Sequence, residues 1–225
     1  MKMRQIKQQT ISSQFLKDEI SFTLRIVCED TYPQLQQDVR LQGLLSVSEF
    51  KYYKNIKNSS RKRTWLRSRL LLKELIKDYH FRLKGLQTSF SDIEVIYTKD
   101  GQPILRNPNN YHVSVSHSGS FIMVAITLDK KIGVDVQKNI KLTDNKMDIF
   151  LDPIEKRKFK TNPIAVWTIK EAYLKSIGTG LKRSLKSIVV DYNDKLFTLN
   201  DLVTNKTYPV ISNNYGGYSY AVCVV

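Results

Sequence analysis

Residues 167–181 read WTIKEAYLKSIGTGL. Pro163 precedes them where a first helical turn tolerates a missing N–H, and Gly178 stands where a helix can end in left-handed backbone. A helix is therefore expected from Ile164 to Ile177, stopping at Gly178. On its wheel Val166, Ile169, Tyr173 and Ile177 form an apolar stripe. Glu171 and Lys175 lie one turn apart on the other face, with Trp167 one turn earlier. A Glu–Lys pair at this spacing is ordinarily a solvated surface pair. A Trp on the same face argues against open solvent. An acid and a lysine beside an aromatic wall suit a phosphate, and GTGLKR adds glycines and two cations able to cradle an anion.

Upstream, residues 132–137 read IGVDVQ. In a strand, alternate side chains share a face. Ile132, Val134 and Val136 then point into a core, and Gly133, Asp135 and Gln137 point the other way. A carboxylate and an amide oxygen would stand beside a glycine that leaves room for a ligand. Hard oxygen donors of this kind suit Mg²⁺, which takes one or two carboxylates and keeps several waters. An edge strand with its polar face in water would show the same pattern. Residues 113–119 read VSVSHSG. His117, one of three histidines with His80 and His112, stands among small hydroxyl residues and a glycine, a setting that suits a phosphate oxygen.

Around these stretches the pattern alternates. FTLRIVC (22–28) reads as a strand, and SVSEFKYYKNIK (46–57) as a helix capped by Ser46 or Ser48. SSRKR (59–63) reads as a polar break before a long helix from Arg63 to Tyr79, with Leu66, Leu70 and Ile76 on helical spacing. KDGQP (99–103) is turn chemistry between two short strands. YHVSVSHSG, FIMVAITL and KKIGVDVQ read as strands, the middle one so apolar that it should be central. SIVVDY, KLFTL, TYPVI and YSYAVCVV form a closing meander. The order strand, helices, strands occurs twice. It predicts an α+β protein of two similar lobes, residues 1–129 and 130–225, joined near 128–132. No sequence repeat marks them.

The 225 residues are 41% hydrophobic, and no apolar run approaches the roughly 20 residues needed to span a bilayer. MKMRQIKQQT has no apolar core behind its basic residues, so no secretory signal is expected. Cys28 and Cys223 make neither a disulfide framework nor a metal cluster. A cytoplasmic protein with idle thiols is expected. The 36 Lys+Arg against 21 Asp+Glu give a net charge of +15, a field that attracts nucleic acid, anionic membrane, a phosphorylated cofactor or an acidic protein. The basic residues are dispersed, and no helix-turn-helix, RRM signature or zinc spacing accompanies them.

GVDVQ, then WTIKEAYLKSIGTGL, preceded by the VSVSHSG strand, resembles the signature of the surfactin-type phosphopantetheinyl transferases. RKRTWLRSRLLLKELI (61–76) resembles the arginine-bearing helix of that family's N-terminal lobe, and KDGQPIL the Gly-x-Pro turn before its Ser-His-Ser-Gly strand. The resemblance covers residues 45–185. It implies two pseudo-symmetric α+β lobes, each a long helix on a small, mostly antiparallel sheet, with the active site at the lobe interface. It also implies transfer of the phosphopantetheine arm of coenzyme A to a serine of an acyl, peptidyl or aryl carrier protein, with release of 3′,5′-ADP. Mg²⁺, or Mn²⁺ in its place, would be held by Asp135, Gln137 and Glu171. Glu171 would be the base and Lys175 a contact to the pyrophosphate. The nucleotide would be held by Ser116, His117, the Lys99–Asp100–Gly101–Gln102 turn, Arg69, and Lys51 or Lys54. The implied partner is acidic, the enzyme a monomer able to build its site within one chain, and neither nucleic acid nor membrane is involved. Carrier docking is expected on KMDIFLDPIEKRKF (146–159) through Ile149, Phe150 or Leu151 with Lys156 and Lys158, although those apolar residues would equally serve a core. Two positions depart from the family pattern: Gln137 stands where Glu is usual, and Ser68 where a glycine usually precedes the helix arginine. Gln137 leaves open a homologue that binds without catalysing.

Overall fold

The computed structural model describes residues 22–28, 41–106 and 111–225. The N-terminal segment and the Cys28 side chain lie outside the described residues. Two compact units emerge: one takes in residues up to Val115 together with Ser120–Asp129, the other Ser116–Gly119 and Lys130–Val225. The chain is α+β, and every strand pairing with an assigned register is antiparallel.

In the first unit, β1 (Phe22–Cys28), β5 (Phe121–Leu128) and β4 (Tyr111–Ser118) form a sheet in the order β1-β5-β4, with the apolar β5 central as its composition predicts. Phe22 pairs with Thr127 and Cys28 with Phe121. Helix α1 (Val47–Asn55) starts at a capping box, Ser46 with Glu49. Helix α2 (Ser59–Lys84) begins earlier than its apolar pattern suggests. SSRKR is no break but its first turn: the Asn58 side chain accepts the Arg61 N–H at 2.9 Å and starts the helix. The apolar face of α2, Leu71, Leu72, Leu75, Ile76 and Tyr79, packs with Val124 and Ile126 of β5. Strands β2 (Val95–Tyr97) and β3 (Pro103–Leu105) flank the expected turn, where Gly101 takes φ +81°.

In the second unit, β6 (Ile132–Lys138), β7 (Ile188–Asn193), β8 (Leu196–Asp201), β9 (Lys206–Tyr215) and β10 (Tyr218–Val224) form a sheet in the order β6-β10-β9-β8-β7. Short helices α3 (Asp144–Met147) and α4 (Pro153–Lys158) lead into α5 (Pro163–Ile177), which has Pro at its first turn and ends at Gly178 with φ 76°. Helix α5 lies on β6 and β10 and is buried over most of its circumference. Its Val166, Ile169, Ala172, Tyr173 and Leu174 join Phe150, Leu151, Val190 and Leu199 in the core. Phe150 and Leu151 are 2% and 1% exposed, so they fill this core and are withdrawn from the expected docking surface, whereas Ile149 is 67% exposed. Lys156 and Lys158 are ion-paired with Asp148 and Asp191.

Each unit contains the same buried clamp. In the first, Glu49 at the third position of α1 accepts the Ser46 N–H and the Val95 N–H, and the Lys73 ammonium bonds Glu49 at 2.5 Å and the Leu44 carbonyl at 3.0 Å. In the second, Glu155 at the third position of α4 accepts the Asp152 and Val190 N–H groups, and Lys170 bonds Glu155 and the Phe150 carbonyl, each at 2.7 Å. Leu44 and Phe150 each stand two residues before the cap. Among the described residues no helix is long and apolar enough to cross a membrane.

Candidate active site

The site is built on β6 and α5 of the second unit. Gly133 explains how the two come so close. A Cβ there would lie 1.8 Å from the Ala172 carbonyl oxygen and 2.5 Å from the Ser176 nitrogen. The glycine therefore makes room for the backbone of α5, not for a ligand. Two residues along, Asp135 faces the same helix, and the Lys175 ammonium bonds its Oδ1 at 2.6 Å. The Ser116 hydroxyl, from the end of β4, donates to the same oxygen at 2.7 Å, accepts the Val136 N–H at 3.2 Å and lies 3.0 Å from Lys175 Nζ. One step further, the Ser118 hydroxyl donates to Gln137 Oε1 at 2.6 Å and accepts the Lys138 N–H at 3.1 Å.

Glu171 belongs to this group electrostatically. Burial raises its carboxyl above the ordinary range, the Asp135 charge raises it further, and Lys175 opposes both. The second oxygen of Asp135 and Oε1 of Glu171 are buried and accept no hydrogen bond from any described residue. Two buried carboxylate oxygens without donors are costly unless a cation completes them. The donor set of two carboxylates and an amide oxygen fits Mg²⁺, which needs few protein ligands and retains water. Among the described residues there is no cluster of three or more His, Cys, Asp or Glu that could hold a metal, so the fit rests on Gln137 as third donor.

Two further expectations change. Trp167 does not wall a phosphate site: its ring meets Phe150 edge-on at 5.1 Å and packs on the core. Part of the GTGLKR segment is engaged within the second unit. The Gly178 and Thr179 N–H groups are taken by carbonyls of the last turn of α5, at the negative end of its dipole. Arg183 is taken by Asp201, whose buried carboxylate also accepts the Tyr173 hydroxyl at 2.5 Å. Lys170, in the middle of the motif, is fully buried against Glu155. Neither the Ser116 and Ser118 tethers nor the Asp201 anchor was read from sequence. The signal for the tethers is the matching two-residue spacing of Ser116/Ser118 and Asp135/Gln137; nothing local marks Asp201.

His117 is exposed at the end of β4. The remaining candidates fall in the first unit. Lys51 is exposed on α1, and Lys54 lies over the Phe50 ring at 5.3 Å. The Lys99–Gln102 turn closes with the Gly101 N–H on the Thr98 carbonyl at 3.0 Å. Arg69 is 4% exposed, paired with Glu49 at 3.5 Å and stacked near Trp65 and Tyr97, while its Nη1 finds no hydrogen-bond acceptor among the described residues.

Residues 131–223 match the family model described as the 4′-phosphopantetheinyl transferase superfamily. The chain is similar to the 4′-phosphopantetheinyl transferase psf-1 of Bacillus pumilus, 27% identical over 55% of this chain and 57% of that protein. It is also similar to the 4′-phosphopantetheinyl transferase ffp of Bacillus subtilis, 28% identical over 61% of this chain and 65% of that one. With the 4′-phosphopantetheinyl transferase gsp of Aneurinibacillus migulanus it shares 24% identity over 77% of this chain and 72% of the relative. The match thus spans less than two thirds of the length of the first two relatives. A solved holo-(acyl-carrier-protein) synthase from Bacillus anthracis, in complex with CoA (3′,5′-ADP), is 25% identical over 48% of this chain and 95% of its own, with a TM-score of 0.40. The family resemblance carried by GVDVQ and WTIKEAYLKSIGTGL is borne out.

Proposed function

We propose that this protein transfers the 4′-phosphopantetheine arm of coenzyme A to a serine of an apo acyl, peptidyl or aryl carrier protein and releases 3′,5′-ADP. One observation carries the reading: β6 and α5, the two elements bearing the family motifs, join Asp135 to Lys175 at 2.6 Å and leave one oxygen of Asp135 and one of Glu171 buried without donors.

Asp135, Gln137 and Glu171 would hold Mg²⁺, or Mn²⁺ in its place, which when bound supplies positive charge to the pyrophosphate. Lys175, 28% exposed and held by Asp135 and Ser116, would bring a second positive charge to the same phosphates. Glu171 would take the proton of the carrier serine, directly or through a water. The serine oxygen forms the new bond to the β-phosphorus, the bond from that phosphorus to the bridging oxygen breaks, and 3′,5′-ADP departs. His117, the Lys99–Gln102 turn, Arg69 and Lys51 or Lys54 are the proposed nucleotide contacts; Ser116, whose hydroxyl is spent on Asp135, the Val136 N–H and Lys175, serves the site through that tether, and a single chain is the proposed working form.

The test is to incubate the chain with coenzyme A, Mg²⁺ and apo carriers of the three kinds and to weigh each carrier. Addition of the arm is expected, with Glu171→Gln slower by at least about 10²-fold. A carrier of unchanged mass in every case, or an undiminished Glu171→Gln, overturns the reading. Gln137, neutral where the family carries an acid, favours a second reading: a coenzyme A or carrier-binding homologue without turnover. Coenzyme A binding with no mass gain selects it.

A further inference from the structure

Gln137 raises a problem that a glutamate at the same place would not. A carboxylate presents oxygen whichever way it turns. A side-chain amide presents oxygen in one orientation and an NH₂ group in the other, and the NH₂ group repels a cation. Something must hold the amide the right way round if Gln137 is to serve as a metal donor.

We propose that Ser118 is that positioning residue: its hydroxyl fixes the orientation of the Gln137 amide so that the oxygen, not the nitrogen, is offered to the cation. The inference rests on the metal reading above and deepens it. The geometry is specific. The Ser118 hydroxyl accepts the Lys138 N–H at 3.1 Å and donates its single hydrogen to Gln137 Oε1 at 2.6 Å. If the amide flipped, that hydrogen would lose its acceptor. The bond uses one lone pair of Oε1 and leaves the second for a ligand. Ser116 holds Asp135 by the same pattern one step earlier, accepting the Val136 N–H and donating to Oδ1. There the partner is a carboxylate, which can only accept. The two serines thus form a ladder with matched roles, and only the Gln137 rung needs it to decide which atom faces the cation. Ser118 touches no reacting atom; it acts through Gln137.

The test is a double-mutant cycle read by direct binding of Mn²⁺ to the full chain, with no substrate present. Ser118→Ala is expected to weaken Mn²⁺ binding about 10-fold, the lower end of the range for partners that orient metal ligands. In a Gln137→Glu background the same change is expected to shift binding by no more than about twofold, because a carboxylate has no wrong face. Ser118→Thr, which keeps the donor, is expected to restore binding. Equal weakening in both backgrounds would mean that Ser118 acts by supporting the strand, and overturns the inference. So does an unchanged affinity in the native background. A wild-type chain and a Gln137→Glu chain that both fail to bind Mn²⁺ sink the metal reading itself. Wild-type binding with no coupling sinks only the role of Ser118.

Discussion

Gly133 decides how close α5 and β6 can come. Because the clash of an added Cβ is with backbone at 1.8 Å, no side-chain rotation relieves it. Gly133→Ala should therefore cost at least about 1–3 kcal/mol and, by pushing α5 outward, stretch the Lys175–Asp135 contact. Thermal unfolding and transfer assays on the variant check both, and a variant of native stability and rate would show that the helix can yield. Asp201 makes a pH-dependent prediction. The Arg183 hydrogen bonds, then those of Tyr173 and nearby backbone, hold its carboxyl far below the usual range. A depressed carboxyl contributes stability above its unfolded pKa, and that contribution fades as pH falls below about 4. The stability gap between the wild type and Asp201→Asn should thus be full at neutral pH and shrink during acid titration. A gap that stays constant or widens on acidification would contradict this sign. At this scale the sequence displayed Asp135, Gln137, Glu171 and Lys175, because alternation along a strand and spacing along a helix are local. It hid Arg183 as an anchor, because its partner Asp201 is reached only through the meander.

Elements bounded by strong local chemistry were legible: α5 between Pro163 and Gly178, the turn at Gly101, and the apolar centre β5. The start of α2 was not, since charged residues at its N-terminus mask a cap set by Asn58. Nor were α3 and α4, too short to show a period. The repeated clamp was invisible for another reason. The glutamate-to-lysine separation differs between units, from Glu49 to Lys73 and from Glu155 to Lys170, so no fixed spacing repeats. Burial lowers both lysines from their ordinary pKa, and the paired glutamates oppose that shift. Removing one partner strands the other in the core, at a cost of about 3–5 kcal/mol. Lys170→Met should destabilise by that order, and adding Glu155→Gln should return part of it, since a neutral amide tolerates the site better than a lone carboxylate. Denaturant unfolding of the single and double variants gives the numbers; a double variant no better than Lys170→Met would mean that the backbone contacts of Glu155, not its charge, hold the clamp.

For the molecule as a whole, the net charge of +15 is the property that bears on a partner and says nothing of fold. Two lysines expected to dock a carrier are engaged with Asp148 and Asp191, so reversing them would disturb the second unit as well as any encounter. Ile149 is the better probe. It is exposed, stands outside the core that takes Phe150 and Leu151, and can be changed without opening a cavity. If an acidic carrier is steered by the whole field and then seated on this segment, the two contributions separate. Steering acts over about 10 Å at 0.1 M salt and about 3 Å at 1 M, so kcat/KM for the carrier should fall about tenfold or more across that range while kcat at saturating carrier holds. Ile149→Ser should raise KM for the carrier at every salt concentration and leave the slope against salt unchanged, because it removes contact and not charge. A kcat/KM indifferent to salt would reduce the basic surface to solvation, and an Ile149→Ser enzyme with native KM would move the docking face off this segment.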